Sequence, residues 1–333
     1  MVAPVREGEE IDAKALTEYL RGKIPGFEQC FEHEIEIRQF TGGHSNLTYL
    51  LKAGGNEYVL RRPPMGPVPP KAHDMAREFR VLAAVHPVFP PAPRVFVVCE
   101  DPSVIGATFF VMERRRGVVL NDSPGPEVAA RVSESFIDCL AQLHLVPAAD
   151  LGLGKPAGFL RRQVSGWSER WSRSKIDELP DMDRTMIWLS GRLPNSTGSP
   201  ALVHNDYKLD NILVDEKDFG CVTAVLDWEM STFGDPLVDL GCTLAYWTQL
   251  DRDDAGWFTR DRFLQRYVAK TGRDVSGIRY YEVFGLFKLA VILQQIYFRF
   301  ASGQTRDARF TDFNQRVREL ARAAFDKTCE PFI

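Results

Sequence analysis

Apolar residues recur along this chain at two different spacings. In "EIEIRQF" (34–40) they alternate with charged residues, putting Ile35, Ile37 and Gln39 on one face, and a period of two predicts a strand. The turn "TGGHSN" (41–46) leads to a second strand in "LTYLLKA" (47–53), and "GGN" (54–56) to a third in "YVLRRP" (58–63), an antiparallel meander. Two further strands lie in "PRVFVVCED" (93–101) and "TFFVMERRRG" (108–117), the second stopping at Gly117. Helical spacing marks 10–22, ending at Gly22, and 75–85. The Pro-rich stretch 63–74 reads as a loop.

Beyond residue 117 the pattern changes. Residues 127–145 form a long amphipathic helix, and most of the remaining chain is helical except around 202–228. The prediction is an α+β chain of two lobes. A small antiparallel-sheet lobe spans 1–113, and a larger, mainly helical lobe spans 114–333, joined by a hinge at about 112–117. There is no internal repeat and no low-complexity tail.

Composition narrows the function classes. At 333 residues, 44% hydrophobic and 26% charged, the chain has enough apolar sequence for a sizeable core in each lobe. A net charge of −4 gives no footprint for general nucleic-acid binding. "MVAPVREGEEIDAKAL" is polar from the start, so no secretory signal is expected and the expected location is cytoplasmic. In the apolar stretch 280–300, Glu282, Lys288 and Arg299 interrupt the run, which predicts a buried core helix rather than a membrane span. Six cysteines (30, 99, 139, 221, 242, 329) are scattered without metal-ligand spacing and read as reduced thiols.

The chemistry concentrates in "LVHNDYKLDNILVD" (202–215), where polar groups sit between short apolar runs. His204, Asp206 and Asn211 have the spacing H-x-D-x-x-x-x-N of a kinase catalytic loop. The following "ILVDEKDFGCVTAVLD" reads as a hairpin of strands 212–214 and 222–226, which would bring Asn211 beside Asp227. Two oxygen ligands completed by phosphates and water suit Mg²⁺. Asp206 would then face an acceptor hydroxyl as general base, and Lys208 would reach the γ-phosphate. The alternative for this stretch is a polar turn with Asx caps.

Together, "FTGGHSNLTYLL", "YVLRRPP", "REFRVL", "FFVMERRRG", "HNDYKLDNILVD" and "VLDWEMSTFGDPLVDLGC" cover residues 40–242. They resemble the aminoglycoside phosphotransferase and choline kinase group, whose two-lobed fold is protein-kinase-like. The resemblance is closer still to the kinase-like domain fused to, or encoded alongside, acyl-CoA dehydrogenases. It implies ATP and Mg²⁺ as cofactors. It makes "TGGHSN" the loop over the phosphates, with Gly42 and Gly43 allowing close backbone approach and Ser45 and Asn46 donating; the alternative is an ordinary hairpin turn. Where kinases place a lysine on the third strand this chain has Arg61, with Arg62 adjacent. Alternation along a strand lets only one point inward, and Arg61 is the expected one. Glu78 would be its helix-borne partner, or else a solvated charge. By position Glu113 C=O and Arg115 N–H would receive adenine, with Met112 lining the pocket.

The metal aspartate lies in "DWE" rather than D-F-G, which argues against a protein kinase. Glu229 would assist the metal through water or simply be exposed, and Asp235 and Asp239 would brace the catalytic loop. "GLGKPAG" (152–158) lacks both common phosphate-loop forms and carries no inference.

Aminoglycosides are polycations and call for clustered carboxylates. The segment "RRQVSGWSERWSRSK" (161–175) is instead basic and tryptophan-bearing, which suits an anionic acceptor with apolar parts, unless it is a solvated helix whose tryptophans pack inward. The dehydrogenase-associated relatives imply phosphorylation of a hydroxyl on an acyl chain, such as a hydroxyacyl-CoA, with phosphate later eliminated, and an acyl-CoA dehydrogenase as partner. The competing readings are a catalytically silent, kinase-like regulatory protein and an antibiotic kinase of the aminoglycoside type.

Overall fold

A computed structural model describes residues 2–25, 27–28, 35–42, 46–66, 73–120, 124–194, 199–248, 256–305 and 307–330. Gly43, Ser45 and Cys30 lie outside them. The chain divides into two compact units. The first is Met1–Val118 with Thr223–Glu229, and the second is Val119–Val222 with Met230–Ile333.

The first unit is built on an antiparallel sheet. Its strands are β1 (Val2–Ala3), β2 (Glu36–Phe40), β3 (Leu47–Ala53), β4 (Asn56–Arg62), β5 (Val95–Cys99) and β6 (Phe109–Glu113), in the order β1-β2-β3-β4-β6-β5. Helix α1 (Ala13–Leu20) starts later than its apolar pattern suggests, because Asp12 caps it by accepting from Ala15 N at 3.0 Å. Helix α2 (Met75–Val85) is capped in the same way by Asp74. Leu16 and Leu20 of α1 pack with Tyr49, Leu51, Leu60, Phe109 and Val111 of the sheet. Gln39 sits on the inner face as its strand period requires. Its amide is satisfied there by the Arg6 N–H at 3.0 Å and the Glu9 carboxylate at 2.5 Å, which is why a polar residue survives in that position. Strand β6 stops at Glu113 rather than at Gly117: the Arg115 guanidinium folds back onto the carbonyls of Pro90 and Ala92, and the arginine run leaves the ladder.

The second unit is mainly helical: α3 (Pro126–Leu145), α4 (Phe159–Ser174), α5 (Pro180–Gly191), α6 (Pro236–Thr248), α7 (Arg260–Thr271), α8 (Ile278–Ala301) and α9 (Phe313–Cys329). Strands β7 (Ala201–Val203) and β10 (Thr232–Gly234) pair antiparallel. The predicted hairpin is present as β8 (Ile212–Val214) and β9 (Val222–Val225), its turn closed by Asp215 N donating to Cys221 O at 2.9 Å. The chain passes from the second unit into the first within β9.

Helix α8 is long and apolar enough, by length and composition, to cross a membrane. Its charges explain its place in this fold. Glu282 is buried and grips Arg260 through two bonds of 2.6 and 2.8 Å, and Lys288 is buried in the same helix. α8 packs on α6 and α9. A Cβ on Gly241 would overlap the Tyr281 backbone, and one on Gly285 would come within 2.6 Å of Gly241 O, so paired glycines set how closely α6 and α8 approach.

Candidate active site

In the first unit, β4 carries two arginines at successive positions, opposite Thr48 and Leu47 of β3. Both are buried, and as alternation requires they serve separate networks, with Arg61 the one that meets Glu78 and Asp227. Arg61 Nη1 lies 3.1 Å from Glu78 Oε1 and its Nη2 lies 3.0 Å from Asp227 Oδ1. Arg62 donates instead to Ile105 O at 2.9 Å. Glu78, 1% exposed, is not a solvated helix charge.

Asp227 has φ +67°, a left-handed conformation that a non-glycine residue holds at a cost of ~1–3 kcal/mol. Its neighbour supplies the anchor. Trp228 is fully buried, donates its indole N–H to Val225 O at 2.8 Å and meets Phe89 edge-on. Glu229 accepts from the Asn46 amide at 3.0 Å, while the Glu229 carbonyl accepts from Arg77 at 2.5 Å. Asn46 also contacts His73 Nδ1 at 2.7 Å, so its side chain braces Glu229 here rather than standing open as a phosphate donor. Glu229 is accordingly neither freely exposed nor without a partner.

These groups place three carboxylates around one guanidinium. Burial pushes Glu78 up to about 7; Arg61 pulls it down, and Asp227 and Glu229 add to the rise. Burial likewise raises Glu229, with Asp227 contributing. Burial works against the charge on Arg61, but Glu78 and Asp227 outweigh it and hold the guanidinium protonated. The cluster carries more negative charge than its own cation balances, which suits an added cation. Among the described residues no three His, Cys, Asp or Glu side chains converge as a closed metal cage.

The other sequence-predicted positions of this unit have simple settings. Gly42 is exposed, and a Cβ there would meet open space. Met112 is buried at the end of β6. The Glu113 carboxylate accepts from Arg94 N at 2.6 Å and pairs with Arg115 at 2.9 Å.

In the second unit the chain turns after β7, and Asp239 on α6 organises the turn. Fully buried, it accepts from the amides of His204 and Asn205, both at 2.5 Å. His144 of α3 approaches the same carboxylate at 3.3 Å through Nε2 and meets the Tyr267 hydroxyl at 2.7 Å through Nδ1. Burial alone would raise Asp239, but the bond to His144 and the His204 amide hold it below the usual carboxylate range. Asp235 behaves differently from the expected brace: it caps α6 through Leu237 N at 3.0 Å and accepts from the Tyr281 hydroxyl at 2.6 Å.

Asp206 follows directly. Its Oδ2 lies 3.0 Å from Lys208 Nζ and accepts from the Asn211 amide at 2.9 Å, so three sequence-predicted residues meet at one carboxylate. Its Oδ1 accepts from the Tyr246 hydroxyl at 3.3 Å. The backbone behind it is tied down by Thr243, which donates to Tyr207 O at 2.9 Å, and by Tyr207, which donates to Phe136 O at 2.8 Å. Sequence reasoning missed Thr243 and Tyr246. The signal was there: 239, 243 and 246 follow the i, i+4, i+7 spacing of one helix face.

The basic segment 161–175 falls largely in α4, where Trp167 and Trp171 are buried and Arg161 is exposed. Arg162 is committed to its own loop, donating to the carbonyls of Ala157 and Lys155.

A family model described as "Phosphotransferase enzyme family" matches residues 36–281. Acyl-CoA dehydrogenase family member 11 of Rattus norvegicus is 35% identical over 314 residues, covering 88% of this chain and 40% of that protein. The chain thus spans about two fifths of the length of that relative. A solved structure of a putative aminoglycoside phosphotransferase from Ralstonia eutropha JMP134 has a TM-score of 0.82 and 30% identity, covering 96% of this chain and 99% of that one. A thermostable aminoglycoside phosphotransferase APH(4)-Ia, in ternary complex with AMP-PNP and hygromycin B, shares the fold with a TM-score of 0.61 and 19% identity, over 89% of this chain and 96% of that one.

Proposed function

Because the chain belongs to the phosphotransferase enzyme family, with a kinase-like fold, we propose that it moves the γ-phosphate of ATP to a hydroxyl of a small molecule. The observation that carries this reading is the Asp206 carboxylate. It is held by Lys208, Asn211 and Tyr246 on a backbone that Asp239 clamps from beneath. Fixed in this way, Asp206 orients the acceptor hydroxyl and accepts its proton as the phosphoryl group is transferred. Lys208 is the cation for charge on the transferring oxygens. In the first unit Arg61, aligned by Glu78, serves the nucleotide phosphates, and the Gly42–Asn46 loop covers them. Asp227, and by the motif Asn211, would offer oxygen donors to Mg²⁺, which would supply charge neutralisation to the phosphates. The segment after Met112, from Glu113 to Arg115, receives the adenine through its backbone.

The acceptor proposed is a hydroxyacyl-CoA or similar anionic ester, used in the cytoplasm in concert with an acyl-CoA dehydrogenase. The name of the rat relative and the exposed Arg161 on a basic helix support it, while the tryptophans of that helix pack inward as the alternative reading requires. On this reading Arg161→Ala raises KM for a CoA ester more than KM for ATP; equal effects would count against it.

One observation favours a silent, regulatory reading: Arg61 is engaged by Glu78 and Asp227 at once, which occupies a proposed metal ligand. Thermal-shift titration with Mg-ATP on the wild type and Asp227→Ala separates the two. Binding at 100 Kd stabilises by ~2.7 kcal/mol. A metal-dependent shift lost in the variant, followed by ADP release with a hydroxyacyl-CoA but not with an aminoglycoside, supports the kinase. No shift in the wild type sinks it.

A further inference from the structure

Asn205, the residue before the proposed base, has φ +65° and is gripped from both ends. Its N–H donates to Asp239 Oδ1, its carbonyl accepts from Lys288 Nζ, and its side-chain amide donates to Met230 O at 2.9 Å. Lys288 lies in the middle of α8 and is only 2% exposed. Its ammonium sits over the Trp167 ring, 5.3 Å from the centroid. Among the described residues no carboxylate lies within ion-pairing distance of it. Asp239 and Asp206 are close enough, however, to act with it on the buried Cys242 thiol. An ammonium buried without a direct ion pair costs stability, and a methionine of similar volume would fill the same space without that cost. A core lysine here is therefore unexplained by packing.

We infer that Lys288 is a positioning residue for phosphoryl transfer: with Asp239 it fixes both ends of Asn205 in a left-handed backbone and so sets the direction in which Asp206 leaves the loop. The inference rests on the phosphotransferase reading and deepens it. Two buried groups of opposite sign hold the two peptides that flank Asn205, the carboxylate on the N–H of one and the ammonium on the carbonyl of the other. Asn205 tolerates positive φ better than most residues but does not enforce it; the clamp does.

The test compares wild type, Lys288→Met, Asp206→Asn, Asn205→Gly and the Lys288→Met/Asn205→Gly double variant by steady-state kinetics, melting and hydrogen exchange of peptides spanning 203–212. Lys288→Met is expected to lower kcat by about tenfold or more while KM for ATP stays within about twofold, because a small misdirection of the base slows transfer without touching nucleotide binding. Its Tm should stay within about 3 °C of wild type, since the lost hydrogen bond is offset by removal of a buried charge. A purely structural lysine would instead lose Tm and activity together. In the Asn205→Gly background the substitution should cost less kcat, because glycine adopts positive φ unaided. Full activity of Lys288→Met beside an inactive Asp206→Asn overturns the inference and leaves the kinase reading standing. If the wild type transfers phosphate to no acceptor, the kinase reading fails instead. Exchange then decides the clamp: faster exchange confined to 203–212 in Lys288→Met supports it, and unchanged exchange overturns it. Where Lys288→Met does not fold, Lys288→Leu, which likewise has no donor, carries the same comparison.

Discussion

Glu78 and Asp206 are both carboxylates near a cation, yet their surroundings assign them different work. Glu78 is sealed beside Arg61, with its pKa raised from 4.5 to about 7 by burial and by two neighbouring carboxylates. A raised folded-state value means the folded protein holds the proton more tightly than the unfolded chain. That stabilisation is complete below about pH 4.5 and is lost as pH rises through about 7. Glu78→Gln, which cannot ionise, should therefore gain on the wild type across that interval by on the order of 2 kcal/mol, read as the difference between two urea-melt series. A flat difference would mean that Glu78 stays ionised with Arg61 throughout. Asp206 is partly exposed and held by donors on both oxygens, an arrangement that fixes the direction of its carboxylate. Asp206→Asn should cost about 10²–10⁴-fold in kcat with Tm almost unchanged. Retained turnover would remove it from the reaction.

At the scale of elements, the paired glycines of α6 and α8 make the sharpest prediction. Gly241→Ala puts a methyl group into the Tyr281 backbone, and neither helix can retreat without disturbing Asp239 on one or Lys288 on the other. The expected loss is about 1–3 kcal/mol, seen as a lower melting temperature, with kcat falling as well. An alanine that melts like wild type would show that the helices slide apart freely. The same elements show why the sequence was legible in some places and opaque in others. The segment 34–40 carries a period of two, and the inner face of β2 follows from it, Gln39 included. Asp206, Lys208 and Asn211 lie within six residues, so the motif is legible from spacing, but their meeting at the Asp206 carboxylate is not, since spacing assigns them to acceptor, phosphate and metal. The start of α1 and the end of β6 were misread because a cap at Asp12 and a fold-back at Arg115 override hydrophobic pattern. Lys288 and Tyr246 reach the 204–211 loop from two separate helices, and His144 of a third meets the Asp239 that holds it; no linear motif announces such a meeting. Alternation separates Arg61 from Arg62, but it does not say that the face Arg62 takes is buried as well.

For the whole molecule, the net charge of −4 sets two forces against each other if the acceptor is a polyanionic CoA ester. The protein as a body repels such a ligand, and only a local basic feature such as exposed Arg161 on α4 can attract it. Salt distinguishes these forces by sign. Screening over a Debye length of about 8 Å at physiological ionic strength weakens the long-range repulsion and any exposed local contact alike. The term that dominates binding decides the trend. If Arg161 and its neighbours recognise the ester, raising salt should raise KM for a hydroxyacyl-CoA, and Arg161→Ala should flatten that dependence. If the acceptor is held by apolar contacts alone, salt relieves the repulsion and KM falls in both proteins. An uncharged alcohol serves as the control, since its KM should not respond to salt on either account. A rising KM for the ester that Arg161→Ala leaves untouched would locate the attraction elsewhere in the second unit and remove α4 from acceptor recognition.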